Sequence, residues 1–216
     1  MNTRNVKFAI PEIYPITDTQ LSGLSHTEQA RRLIEGGARI IQLREKYASP
    51  LDWFDDARAA AKLCRQNDVV LIVNDRVDIA MAIDADGVHL GQTDLPPVAA
   101  RRLLGKVPII GYSTHSIVQV RDALEFDIDY LAFGPIFSTT TKADPDDIVG
   151  IDLLREVREI AGRLPLVAIG GIDLNNAASV LAAGADSIAV ISGLLANGST
   201  IAEQTRKFIS LSVKTV

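Results

Sequence analysis

Chemistry in this chain begins with Gln42, Arg44 and Lys46, in the run Ile41-Gln42-Leu43-Arg44-Glu45-Lys46, where an apolar stretch ends in two cations. Gln42 and Arg44 share the parity of an extended strand, so both point to one side and set an amide beside a forked guanidinium donor. Such a pair suits a cluster of anionic oxygens. The plain alternative is a solvated salt-bridging turn, the usual fate of charged residues at a strand end. Further along, Asn74-Asp75 and Gly91-Gln92-Thr93-Asp94 each set a carboxylate near an amide. Either aspartate could instead cap the helical run that follows it. Together they match what a loosely held Mg²⁺ needs, because that ion keeps several waters and takes one or two carboxylates plus phosphate oxygens. Carboxylates at 75 and 94 with cations at 44 and 46 point to a metal-bound diphosphate.

The second half of the chain carries a different set. Ser113 and His115 stand in Gly111-Tyr112-Ser113-Thr114-His115; no GxSxG elbow surrounds the serine, so it reads as a hydrogen-bonding contact to substrate and not as a nucleophile. A capping serine and a helix-entry histidine are the structural alternatives. The polar connection Gly134-Pro135-Ile136-Phe137-Ser138-Thr139-Thr140-Thr141-Lys142 reads as a binding loop or lid and brings a further cation, with a simple linker as the alternative. Gly170-Gly171 and Ser192-Gly193 close the last two apolar runs. Glycine-bearing turns at those two places, opening short helices with free amides, suit a monophosphate, although either is also an ordinary tight turn. His26, His89 and His115 lack metal-ligand spacing for zinc, and Gly36-Gly37 lacks the order of a dinucleotide fingerprint.

These residues need a scaffold that gathers them. Eight apolar runs alternate with amphipathic ones: Ile13–Thr17, Ala38–Leu43, Val69–Asn74, Gly87–Leu90, Pro108–Tyr112, Tyr130–Gly134, Leu166–Gly170 and Ser187–Ile191. Their density in Ile, Val and Leu predicts strands buried on both faces. Leu51, Phe54, Ala57, Ala61 and Cys64 predict one helical stripe, and Ile117, Val120 and Leu124 another. Ser49-Pro50, Ser116 and Asp173 read as helix starts, Gly162 and Gly184 as helix ends. Strand then helix, eight times, predicts a (β/α)8 TIM barrel of the α/β class, one domain over 1–216 with an N-terminal extension at 1–11. An open doubly wound sheet uses the same unit and is the competing fold. We find no repeated sequence motif behind the repeating architecture.

Composition limits the partners. With 47% hydrophobic residues, 23% charged and a net charge of −5, the chain lacks the cationic surface that nucleic acid requires. No apolar stretch is long enough to span a bilayer and no secretory signal opens the chain, so no membrane partner is expected. The lone cysteine, Cys64, reads as a buried hydrophobe in a cytoplasmic protein. The expected partners are small molecules, with a homo-oligomer left open.

Taken in order, Tyr14-Pro15-Ile16-Thr17-Asp18, Gln42-Leu43-Arg44-Glu45-Lys46, Asn74-Asp75, Gly87-Val88-His89-Leu90-Gly91-Gln92-Thr93-Asp94, Gly134-Pro135-Ile136-Phe137, Thr139 to Lys142 and Gly170-Gly171-Ile172 resemble the thiamine phosphate synthase (thiamine-phosphate pyrophosphorylase) family over almost the whole chain. The resemblance implies a transferase that joins a hydroxymethylpyrimidine diphosphate to a thiazole phosphate and releases diphosphate. It further implies Gln42, Arg44, Lys46 and Lys142 on the diphosphate, with Arg44, Lys46 and Lys142 catalytic, and Asn74 and Ser113 on the pyrimidine. Asp75 and Asp94 would hold Mg²⁺, and Thr139, Thr140, Thr141, Gly171, Ile191 and Ser192 would receive the thiazole phosphate. Thr140 stands where the family often has Glu, and Ser138 where Pro is common. A thiazole tautomerase-like isomerase, which shares a histidine near His115, and a non-catalytic barrel binding a phosphorylated metabolite are the alternatives.

Overall fold

Eight parallel strands make up a single sheet in the computed structural model, which describes residues 9–139 and 147–212. They are β1 (Ile13–Pro15), β2 (Ile40–Leu43), β3 (Val70–Asn74), β4 (Gly87–Leu90), β5 (Ile109–Thr114), β6 (Tyr130–Phe133), β7 (Leu166–Ile169) and β8 (Ser187–Val190). The sheet runs β1-β8-β7-β6-β5-β4-β3-β2. Its two ends then meet: Ile16 bridges Gln42, and the Thr17 amide donates to the Gln42 carbonyl at 2.9 Å. The ring is therefore closed, which decides for the barrel over the open sheet.

Between the strands lie α1 (Thr19–Ser22), α2 (His26–Glu35), α3 (Pro50–Gln66), α4 (Val77–Ala82), α5 (Pro97–Leu104), α6 (Ile117–Ala123), α7 (Gly150–Ala161) and α8 (Ala177–Ala182), and α9 (Ser192–Leu195) and α10 (Ile201–Ser212) follow β8. Ser49 and Ser116 are N-caps as read from the sequence, accepting from the amides of Asp52 and Gln119. Two expectations need correction. Leu51 is 87% exposed, because Trp53 takes the inward position one turn into α3 and packs with Ala57, Ala60, Ala61 and Cys64. Asp173 does not cap α8; Asn176 holds that place, and the Asp173 carboxylate accepts the amides of Asn175 and Asn176 in the turn before it.

Alternate residues of each strand divide into two cores, as the pleat requires. One set faces the helices and forms the larger cluster around Leu33, Leu43, Leu71, Leu131 and Phe208. The other fills the barrel with Tyr14, Ile16, Ile40, Ile72, Tyr130, Ala132, Val167 and Ala189. At the N-terminal rim a device recurs that periodicity did not reveal. Asp86, Asp129 and Asp186 each donate their amide to the first buried residue of the preceding strand (Leu71, Ile110 and Leu166) and accept that residue's amide on Oδ2, at 2.7 to 2.9 Å. These aspartates tie β3, β5 and β7 to β4, β6 and β8, a stabilising role at the face opposite the C-terminal ends of the strands. No helix among the described residues is long and apolar enough to cross a membrane.

Candidate active site

The register aligns the inward polar residues. Asn74 pairs with His89, His89 with Gly111, and Ser113 with Ala132. Above them, at the C-terminal ends of the strands, opens a cavity of ≈ 400 Å³. Arg44, Lys46, Asp75, Asp94, Ser113 and Ser192 all line it, although they come from the C-terminal ends of five different strands or from just beyond them.

The cations are held from behind. Asp18 Oδ2 accepts Arg44 Nη1 at 2.6 Å, and Asp18 is itself fixed, accepting the Leu21 amide on Oδ1 and donating its own amide to Gln29 Oε1. Both members of the pair are largely shielded, 13% and 7% exposed. Burial alone would raise the Glu45 carboxyl, but the amides of Tyr47 and Ala48, the Thr19 hydroxyl and His26 outweigh it and hold the group below its ordinary range. Glu45 therefore shapes the loop that carries Lys46. His26 is buried beneath, its Nδ1 2.7 Å from the Thr17 hydroxyl and its ring tilted against Trp53.

Asp75 follows β3 with φ of 60°, a left-handed turn that aspartate tolerates better than most residues. Lys46 Nζ hydrogen-bonds its carboxylate. Asp94 turns back on its own loop and accepts the Gly91 amide at 2.7 Å. Burial first, and then the Asp75 carboxylate against it, raise the Asp94 carboxyl. Neither aspartate caps a helix: α4 begins after Arg76 and α5 after Pro96, both without a side-chain cap. Among the described residues no group of three or more metal-ligating side chains assembles, so these two carboxylates stand as a pair.

Under the rim runs a line of buried hydrogen bonds. Ser113 Oγ lies 2.8 Å from His89 Nε2, and His89 Nδ1 lies 2.9 Å from the Tyr130 hydroxyl. Tyr130 meets the Tyr14 hydroxyl at 2.9 Å, and Gln42 Nε2 donates to Tyr14 at 3.0 Å. Burial pushes His89 down to about 4, so the ring is neutral at physiological pH, and it raises both phenols. Gln42, 2% exposed, thus lies on the cavity floor below Arg44. Asn74 is 8% exposed, and its Nδ2 is buried without a hydrogen-bond partner.

Across the cavity, Gly170 and Gly171 have φ of 101° and 62°. A Cβ on Gly170 would lie 2.4 Å from Pro135 Cβ, and one on Gly171 2.4 Å from the Ser138 carbonyl. The pair of glycines therefore lets the connection after β6 pack onto the end of β7. Ile191 and Ser192 open α9 with no side-chain cap on its first amides. Thr139 lines the cavity, while Thr140, Thr141 and Lys142 lie outside the described residues. His115 also lines it, with Nδ1 2.6 Å from the Gly134 carbonyl.

A family model described as thiamine monophosphate synthase matches residues 13–194. The chain belongs to the thiamine monophosphate synthase family. It is 45% identical over 203 residues to the thiamine-phosphate synthase of Chloroflexus aurantiacus, covering 93% of each chain. It is 46% identical over 202 residues to that of Methanospirillum hungatei, covering 93% of this chain and 97% of the relative. The solved thiamine phosphate pyrophosphorylase of Pyrococcus furiosus superposes with a TM-score of 0.84 at 35% identity, covering 94% of this chain and 96% of that one. Within this synthase-family barrel, the sequence alone assigns no role to Asp18, Tyr14 or Tyr130. Inward parity on β1 and β6 marks the two tyrosines, since a phenol at an inward position needs a buried partner. Nothing local marks Asp18 as the partner of Arg44.

Proposed function

We propose that this cavity condenses 4-amino-2-methyl-5-(diphosphooxymethyl)pyrimidine with a thiazole phosphate, giving thiamine phosphate and diphosphate. One observation supports the reading above others: a cationic pole at Arg44 and Lys46, a carboxylate pair at Asp75 and Asp94, and an amide-rich rim at Gly171, Ile191 and Ser192 share one cavity. Two anionic small molecules can meet there head to head.

In this reading Arg44 and Lys46, joined by Lys142, hold the diphosphate, and Asp18 keeps the guanidinium aimed. Asn74 and Ser113 face the pyrimidine beneath it, and we move Gln42 to this group from the diphosphate, where the resemblance put it, because it is buried on the floor below Arg44 with Nε2 bonded to Tyr14. Thr139, Thr140 and Thr141 with Gly171, Ile191 and Ser192 take the thiazole phosphate. The bond from the pyrimidine methylene to the diphosphate oxygen breaks, its electron pair leaving with diphosphate. The thiazole nitrogen supplies the pair for the new C–N bond. Arg44 and Lys46 stabilise the negative charge that gathers on the leaving group. No protein nucleophile is needed, and holding the two partners in line supplies much of the rate. Two apposed hard-oxygen donors on the cavity wall fit Mg²⁺; bound by Asp75 and Asp94, it would add Lewis-acid neutralisation of the departing charge. The buried single cysteine fits a reducing cytoplasm.

The test is turnover. Incubating the protein with both substrates and Mg²⁺ should yield thiamine phosphate and diphosphate in equal amounts. Isomerisation of the thiazole alone would favour the tautomerase alternative, and binding without reaction would favour a sensor.

A further inference from the structure

The hydrogen-bond line under the cavity has a direction, and we infer that this direction makes Tyr14, Tyr130 and His89 positioning residues that set which edge of an aromatic ring the floor accepts. Gln42 Nε2 can only donate, so the Tyr14 oxygen accepts it at 3.0 Å. Each phenol carries one proton. Tyr14 therefore passes its own to Tyr130, 2.9 Å away, and Tyr130 passes its own to His89 Nδ1, also at 2.9 Å. A neutral imidazole that accepts on Nδ1 bears its proton on Nε2. That proton goes to Ser113 Oγ at 2.8 Å, and the Ser113 hydroxyl proton is left for the cavity.

The two ends of the line are thus opposite in character. Ser113 donates into the cavity, while Gln42, with one of its two Nε2 hydrogens given to Tyr14, keeps its Oε1 as the acceptor for a ring. Asn74 Nδ2 is an independent witness on the donor side, more than nine-tenths buried, unpartnered and on the cavity wall. The line also has a steric provision: a Cβ at Gly111 would stand 2.0 Å from Tyr130 Cζ and 2.3 Å from its hydroxyl, so only glycine there leaves the phenol its place.

A ring that fits this floor offers a lone pair to Ser113 and Asn74 and an N–H to Gln42. An amine next to a ring nitrogen has that edge. The corresponding oxo ring, with a carbonyl and a ring N–H, presents the reverse. This inference rests on the condensation proposed above and names how its pyrimidine is read.

Two measurements test it. The first needs no substrate: long-range ¹H–¹⁵N correlation on the ¹⁵N-histidine-labelled full chain, with His89 assigned by its loss in His89→Asn. The proton is expected on Nε2, and a proton on Nδ1 overturns the inference. The second compares kcat/KM for the aminopyrimidine diphosphate and its oxo analogue. The wild type should prefer the amine by about a hundredfold or more, since buried groups left mispaired discriminate strongly. Tyr130→Phe should shrink that preference by about tenfold while the KM for thiazole phosphate stays put. Tyr14→Phe serves if Tyr130→Phe does not fold. Equal use of both rings by the wild type, or an unchanged preference in the folded variant, overturns the inference. No turnover of the natural pair with the proton on Nε2 overturns the condensation reading and supports the direction of the line.

Discussion

Replacing Asp18 by Asn should impair the enzyme without touching any group that meets substrate. Asp18 Oδ2 lies 2.6 Å from Arg44 Nη1, and its other oxygen accepts the Leu21 amide at 3.0 Å. In Asp18→Asn the single carbonyl oxygen stays with Leu21, so the amide –NH2 faces the guanidinium and two donors oppose each other. With Arg44 13% and Asp18 7% exposed, solvent does little to screen the loss. A charge-assisted hydrogen bond of this kind contributes about 1.5–3 kcal/mol. If that energy serves to aim Arg44, kcat/KM for the diphosphate substrate falls by about ten- to a hundredfold. The KM for thiazole phosphate, proposed to bind across the cavity from Arg44, should not move. The assay is steady-state kinetics varying each substrate at saturating levels of the other, with thermal melting to confirm a folded variant. Asp127→Asn is the control, because its pair with Arg101 is 76% exposed on the aspartate side and contributes little. A folded Asp18→Asn enzyme within twofold of wild type for the diphosphate substrate would refute the reasoning.

Three further outcomes follow from the geometry. Asp75→Asn and Asp94→Asn should each raise the Mg²⁺ concentration for half-maximal rate by about tenfold or more, and titrating Mg²⁺ under steady turnover checks this; an unshifted curve in both removes the metal assignment. Gly171→Ala puts a Cβ 2.4 Å from the Ser138 carbonyl at φ of 62°, so chemical denaturation should show a loss of about 2–4 kcal/mol from the clash and the left-handed backbone together. His89 is held at about 4 against an ordinary 6.5, chiefly by burial, with Lys46 and His115 adding to the shift and Asp94 opposing it. The unfolded chain then binds the extra proton between those values, so the contribution of His89 is full above pH 6.5 and is lost as pH falls toward 4, by about 3 kcal/mol. Denaturant melts of wild type and His89→Asn across that window isolate it as the difference between the two slopes, since burial also lowers His26 and both proteins keep that contribution.

The barrel was legible because its signal is repetitive. Eight apolar runs appear as eight strands, and the strand most displaced from its expected bounds is β5, which continues to Thr114. Parity did further work: pairing Gln42 with Arg44 on one side of β2 holds, although burial separates them, one on the floor and one at the rim. Leu51 failed because a helical stripe has several acceptable phases, and the choice between Leu51 and Trp53 is made by what packs above α3. The aspartates at 75 and 94 were ambiguous between capping and metal binding for a physical reason. Both roles want a carboxylate just after a strand and just before a helix, and only backbone geometry shows that α4 and α5 begin elsewhere. Contacts at long sequence separation stayed hidden, such as Asp18 to Arg44 and Tyr14 to Tyr130, since nothing local encodes the partner.

The claim everything else depends on is that the two anion-holding poles face one another across a single cavity. A crystal structure of the protein soaked with thiamine phosphate, diphosphate and Mg²⁺ tests it most directly. The account predicts diphosphate against Arg44 and Lys46 with the metal at Asp75 and Asp94, and the phosphate of the product at Gly171, Ile191 and Ser192. Both phosphorylated groups at one pole, or the metal away from the two aspartates, would contradict it.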